Sequence, residues 1–542
     1  MENTNKVIFS LDKTKLIHHY PIDEPFSKIL CLYTNRHEGG LRGQSRSRRS
    51  RDTQYFLGGL RMKKKLVSVL LCTAMTASLL AGCGGSASTG GEAAADGEAA
   101  DEADAADEAA DAAEEEIPVS TFGDPNGTHL EMWTFVELHG QHYGVMAEQW
   151  NQEHPDQTIE ITCTTYPYGD MHTKLLASLE AGTGAPDICD VEVGQYPNVV
   201  AGLDQWLVPL DDYAAEYMPT MVPARMQTYQ GEDGHYYGAP YHVGATAMYY
   251  NVAAMSEAMG ISQDEVIAKI DAVKTWDDYA ALGQEYKDAI GADDKYWTSV
   301  DTGGVDWLWI AMAEYGDDWT GGFDNPANVQ LDSVKQMLSM QQDWLKSGLA
   351  EISPDGHVDL EAGFQNIIDH NIVSFPKALW YMSRFTNYMP EEAGNWYIAK
   401  CPVFKEGQKC SVGIGGTGTV VTQQSANVDL AATFLCWAKM SDAGEQHIWD
   451  TLGFDVCNTA LWGDDAFAHD DNNQYNQFFI NYPYDVLNEI GMDNIGKISV
   501  VSISPTINEY FCTTTLNEVL EDPDYSIDDA LQEAQDAIDL EQ

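Results

Sequence analysis

The sequence predicts an α/β fold of two lobes, and three observations carry that expectation. Strand and helix signals alternate between residues 129 and 191, the order that gives a parallel sheet with right-handed crossovers. About 420 residues of globular composition follow residue 121, more than one compact core accommodates. An aromatic strand entered through Gly and Pro, Gly238-Ala239-Pro240-Tyr241 leading into Ala247-Met248-Tyr249-Tyr250-Asn251, reads as a crossing between the lobes.

Ahead of that globular part lies a different pattern. Residues 1–61 carry a basic cluster, Arg46, Arg48, Arg49 and Arg51, without sustained periodicity. Met62 is followed by Lys63, Lys64 and Lys65, an apolar run from Leu66 to Leu80, and then Ala81-Gly82-Cys83. A basic start, a short apolar middle and a small-residue exit make a secretory signal. The run is too short to sit comfortably as a permanent span. A secretory signal belongs at an N-terminus, so Met62 is the expected start and residues 1–61 an extension called by mistake. Residues 62–82 are the expected signal peptide, and everything from Cys83 onward is expected outside the cytoplasmic membrane. Residues 83–121 read as an acidic tether: Gly, Ser and Ala, then Ala interleaved with Asp and Glu. With almost no large apolar side chain this stretch buries no core, and a flexible chain of its length spans roughly 30 Å.

Charge agrees with the cut. Of 29 basic and 85 acidic residues, 14 and 6 lie in residues 1–82, leaving 15 and 79 beyond it. A surface that acidic repels nucleic acid and anionic headgroups and favours a neutral or cationic partner.

Along the globular part, His129 to Phe135 alternates as a strand, Tyr143 to Asn151 reads as a helix, and Thr158 to Thr162 is a second strand. Met171 to Ala181 is a second helix stopped by Gly182-Thr183-Gly184, and Pro186 to Val191 is a third strand. Ligands on such sheets sit beyond the carboxyl ends of the strands, which directs attention to the loops after Trp133, Thr164 and Val191. Further on, Trp276 opens a helix, Ile372 to Phe375 has a buried-strand pattern, and Trp396 to Pro402 reads as a strand returning to the first lobe. Gly413 to Val421 is a Gly-rich strand, Leu430 to Met440 a helix, and the acidic end from Asp522 is helical.

Reactive motifs are few. Beyond Cys83 there are seven cysteines, an odd number with no zinc-knuckle or redox CxxC spacing. Most read as buried apolar thiols; Cys401 and Cys410 flank Lys405-Glu406-Gly407, where a hairpin disulfide is one alternative. Gly413 to Gly418 lacks the Gly-Lys-Ser/Thr ending of a phosphate loop and reads as a strand passing close to a ligand or another backbone. Asp470-Asp471-Asn472-Asn473 lacks calcium-loop spacing. There is no G-x-S-x-G elbow and no H-E-x-x-H. What remains is a set of aromatics at strand ends and short loops: Trp133, Tyr168, Tyr196, Tyr241, Trp307, Trp309, Trp380 and Tyr381. About half belong to cores on general grounds. As a set they suit a neutral polyhydroxylated ligand, whose C–H faces stack on rings while its hydroxyls pair with Asp, Glu, Asn, Gln and His.

Pro186-Asp187-Ile188, Tyr249-Tyr250-Asn251, Thr275-Trp276-Asp277-Asp278-Tyr279 and the Gly-rich strand before Ala431-Ala432-Thr433-Phe434-Leu435 resemble the extracellular solute-binding proteins of ABC importers, carbohydrate-binding family 1. Longer stretches are similar to that family's arabino-oligosaccharide-binding lipoproteins of Gram-positive bacteria. These are Trp133-Thr134-Phe135 with Leu138-His139, Tyr166-Pro167-Tyr168-Gly169 with Met171-His172, His242-Val243-Gly244, Trp380-Tyr381-Met382 with Arg384-Phe385, and Leu452-Gly453-Phe454-Asp455. Residues 256–370 match less clearly.

The resemblance implies a periplasmic-binding-protein-like fold of type II, two α/β lobes joined by crossing strands with the ligand cleft between them. The expected lobes are residues 122–240 plus 398–440, and 241–397 plus 441–542. It also implies lipidation of Cys83 after cleavage and a monomeric binder without cofactor, metal or catalysis, which hands an oligosaccharide to membrane permease subunits. An arabino-oligosaccharide is favoured over a xylo- or malto-type one. By the same resemblance Trp380 matches the aromatic on which related maltose binders stack a sugar ring, and Trp133 and Glu137 lie in the first-strand loop. Gly244 stands where those binders carry an acidic residue. The remaining candidate ligand residues are His139, Tyr168, Glu192, Tyr196, His242, Trp307, Tyr381, Arg384, Gly416 and Asp455. Two other classes stay open: a secreted glycoside hydrolase, which needs two carboxylates at catalytic separation, and a sensor presenting sugar to a membrane kinase.

Overall fold

The computed structural model describes residues 117–541. The basic cluster, the signal stretch with Cys83 and the tether as far as Glu116 lie outside the described residues. Among those described, no helix is long and apolar enough to cross a membrane.

The first lobe is built on strands β1 (Val119–Gly123), β2 (Thr128–Thr134), β3 (Ile159–Thr165), β4 (Ile188–Glu192) and β5 (Ala239–Pro240). With Thr417–Val421 they form one sheet in the order β1-β3-β2-β4-(417–421)-β5. β2 runs parallel to β3 and β4, the expected βαβαβ centre. Ile188 to Val191 are buried on both faces of the strand, as suits the middle of a covered sheet. Two boundaries differ from expectation. The tether ends earlier, because Val119–Gly123 pairs antiparallel with β3 from Val119↔Thr164 onward. The first helix spans Glu137–Glu153 and so begins six residues before Tyr143. Its opening turns hold glycines where an apolar stripe would announce a helix. A Cβ on Gly144 would stand 2.6 Å from the Phe122 ring, and one on Gly140 would stand 3.2 Å from Cys163 Cβ. The helix therefore lies close on the sheet through residues without side chains.

The second lobe contains β6 (Thr246–Asn251), β7 (Thr298–Val300), β8 (Ala350–Ile352), β9 (Ser374–Ala378) and β10 (Trp396–Lys400). β6 is the middle of a three-stranded antiparallel sheet, β10-β6-β9, and β7 pairs in parallel with β8. The strand expected to return to the first lobe, near Trp396, is thus the edge of this second sheet. Trp396 and Ile398 are buried while Tyr397 and Ala399 are half-buried, so its burial is satisfied beside β6. The helix Trp276–Ile290 starts at a capping box between Thr275 and Asp278. Trp276, Tyr279, Trp297, Trp307 and Trp344 lie buried together.

Return to the first sheet is made later, by β11 (Ser411–Val412) leading to β12 (Thr417–Val421), with β13 (Ile495–Gly496) parallel to β11. The two principal crossings run side by side: Ala245 bridges Gly413, and Ile414 N–H donates to Gly244 O at 2.9 Å. After β12, the helix Asp442–Leu452 packs on Val428–Met440 and on Glu137–Glu153. This helix, in the stretch expected in the second lobe, thus packs against helices that flank the first sheet. Cys401 and Cys410 are free thiols, as are Cys163, Cys189, Cys436, Cys457 and Cys512. Burial pushes the Cys163 and Cys436 thiols up to about 12, which leaves them inert.

Candidate functional site

A cavity of about 300 Å³ opens where the crossings meet both lobes. The first lobe supplies Glu192, Val193, Gly194 and Thr228; the second supplies Asp306, Trp309, Trp319, His357, Lys377 and Trp380. Gly413–Gly415 and Ile498–Val500 close it from the crossing side, and Ser504 and Asn508 from the helix Ser504–Tyr510.

Trp380 is placed there by one turn of chain. β9 ends at Ala378, and the 3-10 turn Leu379–Tyr381 buries Leu379 and Tyr381 while leaving Trp380 partly open. Its indole N–H donates to Ile414 O at 3.0 Å. The Arg384 guanidinium lies 5.4 Å from the ring centroid, a cation–π contact. Arg384 is itself held by Asp359, with Nε 2.8 Å from Oδ1. Gly415, at φ +65°, passes so near that a Cβ would stand 3.3 Å from the indole nitrogen.

Beside Trp380, Lys377 Nζ donates to Asp306 Oδ2 at 2.5 Å and stands 3.4 Å from His357 Nε2. Burial works against the Lys377 ammonium, but Asp306 and Asp301 outweigh it and hold its pKa above the ordinary value. Asp306 and Trp309 are three residues apart on the helix Asp306–Tyr315 and share a face. Opposite, Glu192 Oε2 accepts Gly194 N–H at 2.7 Å and Tyr168 O–H at 3.1 Å. Burial raises the Glu192 carboxyl above its ordinary value, and burial with the nearby Glu192 pushes the Tyr168 phenol up to about 12. The Asn508 side-chain carbonyl is buried without a protein partner.

Of the sequence candidates, then, Glu192 and Trp380 line this cavity, with Tyr168 and Arg384 bonded or stacked directly behind them. The others lie elsewhere. Trp133 is 5% exposed and sits inside the first lobe, edge-on to Tyr166 at 5.3 Å. Glu137 is exposed in the opening turn of its helix, within reach of Gln141. His139 is buried, with Nδ1 2.9 Å from Asp190 Oδ2 and its ring stacked on Tyr241 at 4.1 Å. Tyr196 is fully buried and donates to Tyr229 O. Trp307 is 4% exposed, packed on Trp276 and Trp344. Two residues on along a helix is nearly the opposite face, so Trp309 takes the cavity and Trp307 the core. Tyr381 is fully buried and donates to Val358 O at 3.0 Å.

His242, Asp455 and Gly416 serve the crossings. Asp455 accepts the N–H groups of Gly244 and Ala245 at 3.2 and 2.7 Å, and its Oδ1 lies 3.6 Å from His242 Nδ1. Burial lowers the His242 imidazole to about 4. Gly416, at φ +112°, accepts Val193 N–H through its carbonyl. Asp306, Trp319, His357, Lys377 and Asn508 were not singled out from sequence. Helical spacing from Trp309 back to Asp306 was the available signal for one of them. Lys377 sits inside a buried strand, where a lysine is unusual, and that oddity was the signal for another.

Two α/β lobes joined by crossing strands, with a cavity walled by both, define a two-lobed binding protein. The two carboxylates facing the cavity are already engaged, Asp306 by Lys377 and Glu192 by Tyr168 and Gly194. The chain belongs to the bacterial extracellular solute-binding proteins, whose family model matches residues 142–445. It is a binding protein of the extracytoplasmic space rather than an enzyme. It is 35% identical over 424 residues to the arabinooligosaccharide-binding protein of Halalkalibacterium halodurans, covering 77% of this chain and 91% of that one. Against the arabinooligosaccharide-binding protein of Bacillus subtilis it is 35% identical over 363 residues, covering 66% and 79%. The solved structure of the sugar-binding protein MalE from Xanthomonas citri superposes with a TM-score of 0.62 at 18% identity, covering 76% of this chain and 96% of that one.

Proposed function

We propose that this protein captures a neutral oligosaccharide, an arabino-oligosaccharide, in the cavity at Trp380 and delivers it to the permease subunits of an ABC importer. The observation that carries the reading is the cavity itself. It presents an indole held by Ile414 and Arg384, facing Glu192 across the cleft and flanked by the Lys377–Asp306 pair. An aromatic face with fixed donors and acceptors suits a ring bearing hydroxyls. The names of the Halalkalibacterium and Bacillus relatives support an arabino-oligosaccharide as the ligand. The cavity's charges leave no free cation for an acidic sugar, since Lys377 is engaged by Asp306.

Capture works as a population shift. Open and closed lobe arrangements interconvert about the crossings, and sugar favours the closed one because only there do Glu192 and Trp380 meet the same ligand. The lobes divide at the crossings around residues 241–245 and 413–416, the first lobe extending through the helix Asp442–Leu452. The monomer is tethered to the membrane by acyl chains on Cys83, since stable anchoring takes two chains or one chain with a second signal.

A thermal-shift and calorimetric screen of purified protein against arabinan, xylan and starch oligomers tests this function. Binding of arabinan oligomers, recovered unchanged, is the expected result. Preference for another ladder would reassign the sugar, and release of shorter sugars that disappears on mutating Glu192 and Asp306 would overturn the binding reading. Intact mass of the membrane-extracted protein should begin at a lipidated Cys83.

A further inference from the structure

The cavity at Trp380 does not end there. Thr228, Ser499 and Val500 also line a second cavity of about 220 Å³, and that cavity shares Phe323 and Val500 with a third of about 540 Å³. The three form one groove along residues 498–501, the segment between β13 and the helix Ser504–Tyr510. The Trp380 cavity alone is at the lower end of the roughly 300–1,000 Å³ that ligand sites occupy. The continuation more than doubles the space available to a chain-like ligand.

Phe323 stands at the junction and is 54% exposed. It is not on a loose loop. Asp318 accepts Thr320 N–H and O–H at 2.9 and 2.6 Å, Asn325 N–H donates to Gly321 O, and Asn328 N–H donates to Trp319 O at 2.7 Å. Gly321 and Gly322 take φ of +73° and +66°, and a Cβ on Gly321 would stand 2.4 Å from Asn325 O. A tight, internally bonded turn thus holds a large aromatic residue at the groove with about half of its surface left exposed. Around it the groove offers hydroxyls and amides: Gln227 and Gln230 from the first lobe, Thr320 and Asn325 from the second, Ser502 and Thr506 beyond the crossing.

We infer that Phe323 is the platform of a remote subsite that receives the third and later residues of a longer, neutral oligosaccharide whose first residues lie at Trp380. This rests on the oligosaccharide reading above and extends it to chain length. A ring face and neutral hydrogen-bonding groups suit sugar, while Glu232, Asp318, Asp324 and Glu541 outnumber Lys497 along the same walls and disfavour an anionic chain. The first cavity then sets which sugar is accepted, and the second and third set how much is gained by lengthening it.

The test is calorimetric titration of the full-length protein with linear arabinan, xylan and starch oligomers, each from disaccharide to hexasaccharide. For the ladder that binds, wild-type affinity should rise roughly tenfold between disaccharide and pentasaccharide. Phe323→Ala should remove that rise while disaccharide affinity stays within about twofold, and Phe323→Trp should keep it. Trp380→Ala should weaken every length. Wild-type affinity that is flat with length, or a Phe323→Ala variant that retains the full rise, overturns the remote subsite and leaves the Trp380 reading standing. Normal binding by Trp380→Ala, or no binding of any ladder to wild type, overturns both.

Discussion

Two clusters of aromatic and polar residues at strand ends, one inside the first lobe and one at the cavity, are built to opposite purposes. In the first lobe, Asp190 is fully buried and accepts from Thr134 at 2.8 Å, Thr419 at 2.6 Å and Tyr241 at 3.1 Å, with His139 Nδ1 at 2.9 Å. Burial alone would raise its carboxyl, but His139, Lys439 and Thr419 outweigh it and hold the group below its ordinary value. Four side chains of that cluster are turned inward onto the one buried carboxylate. At the cavity, the indole of Trp380, the buried Lys377–Asp306 pair and Glu192 are each fixed by a protein partner and also line the cavity. Residue type does not separate the two clusters: His139 and Trp133 are as sugar-like in chemistry as Glu192 and Trp380. What separates them is where each side chain finds its partners.

The comparison predicts its largest effect at Asp190. Asp190→Ala leaves His139, Thr134, Thr419 and Tyr241 without their common acceptor, and should cost about 3–5 kcal/mol of folding stability. Urea unfolding followed by fluorescence measures it. The folded fraction should still bind sugar with wild-type affinity, because none of these groups reaches the cavity. Weakened binding by a fully folded preparation would erase the distinction drawn between the clusters.

A second effect lies at the crossings. The His242 imidazole is held at about 4 by burial, against an ordinary 6.5. The unfolded chain therefore takes up a proton that the folded one refuses. Stability from this group is fully present above pH 6.5 and is lost as pH falls from 6.5 towards 4, by roughly 3 kcal/mol if the whole difference is expressed. Unfolding free energies across that range should show the fall, and His242→Asn should reduce it by this group's share, with His139, His142, His172 and His447, also lowered by burial, supplying the rest. An unchanged slope in the variant would remove His242 from the account.

The smallest effect is at Arg384, which stacks on Trp380 and pairs with Asp359. Lysine keeps the charge but not the planar fork, so Arg384→Lys should lower sugar affinity by about 0.5–1 kcal/mol with little change in melting temperature. A larger loss would mean that Arg384 touches the ligand itself.

Much of the fold was legible because its signals are local. The alternation through β2, β3 and β4 and the helices between them follow from period two and period 3.6 in neighbouring residues. The return strand was misread near Trp396 because an alternating apolar segment does not reveal which sheet edge it meets; β6 was free on that side. In the site the same limit acts at finer scale. Trp307 and Trp309 differ only in helix face, Trp380 and Tyr381 only in the direction of one turn, and Lys377 is hidden in a strand whose other residues are small or apolar. The groove past Phe323 depends on five separate stretches meeting, 197–203, 227–232, 318–325, 497–506 and Glu541, which no local pattern encodes.

Trp380 and Tyr381 offer the most direct test, since they are neighbours in sequence and divided by function. Calorimetric titration and melting curves on Trp380→Ala and Tyr381→Ala, prepared alongside wild type, read both quantities at once. Trp380→Ala should remain folded, with a melting loss clearly smaller than its neighbour's, and lose about 2 kcal/mol or more of sugar affinity. Tyr381→Ala should lose about 3–5 kcal/mol of stability, and what stays folded should bind as wild type does. The reverse pattern, with Trp380→Ala binding normally and melting far lower, would place Trp380 in the core and contradict the site.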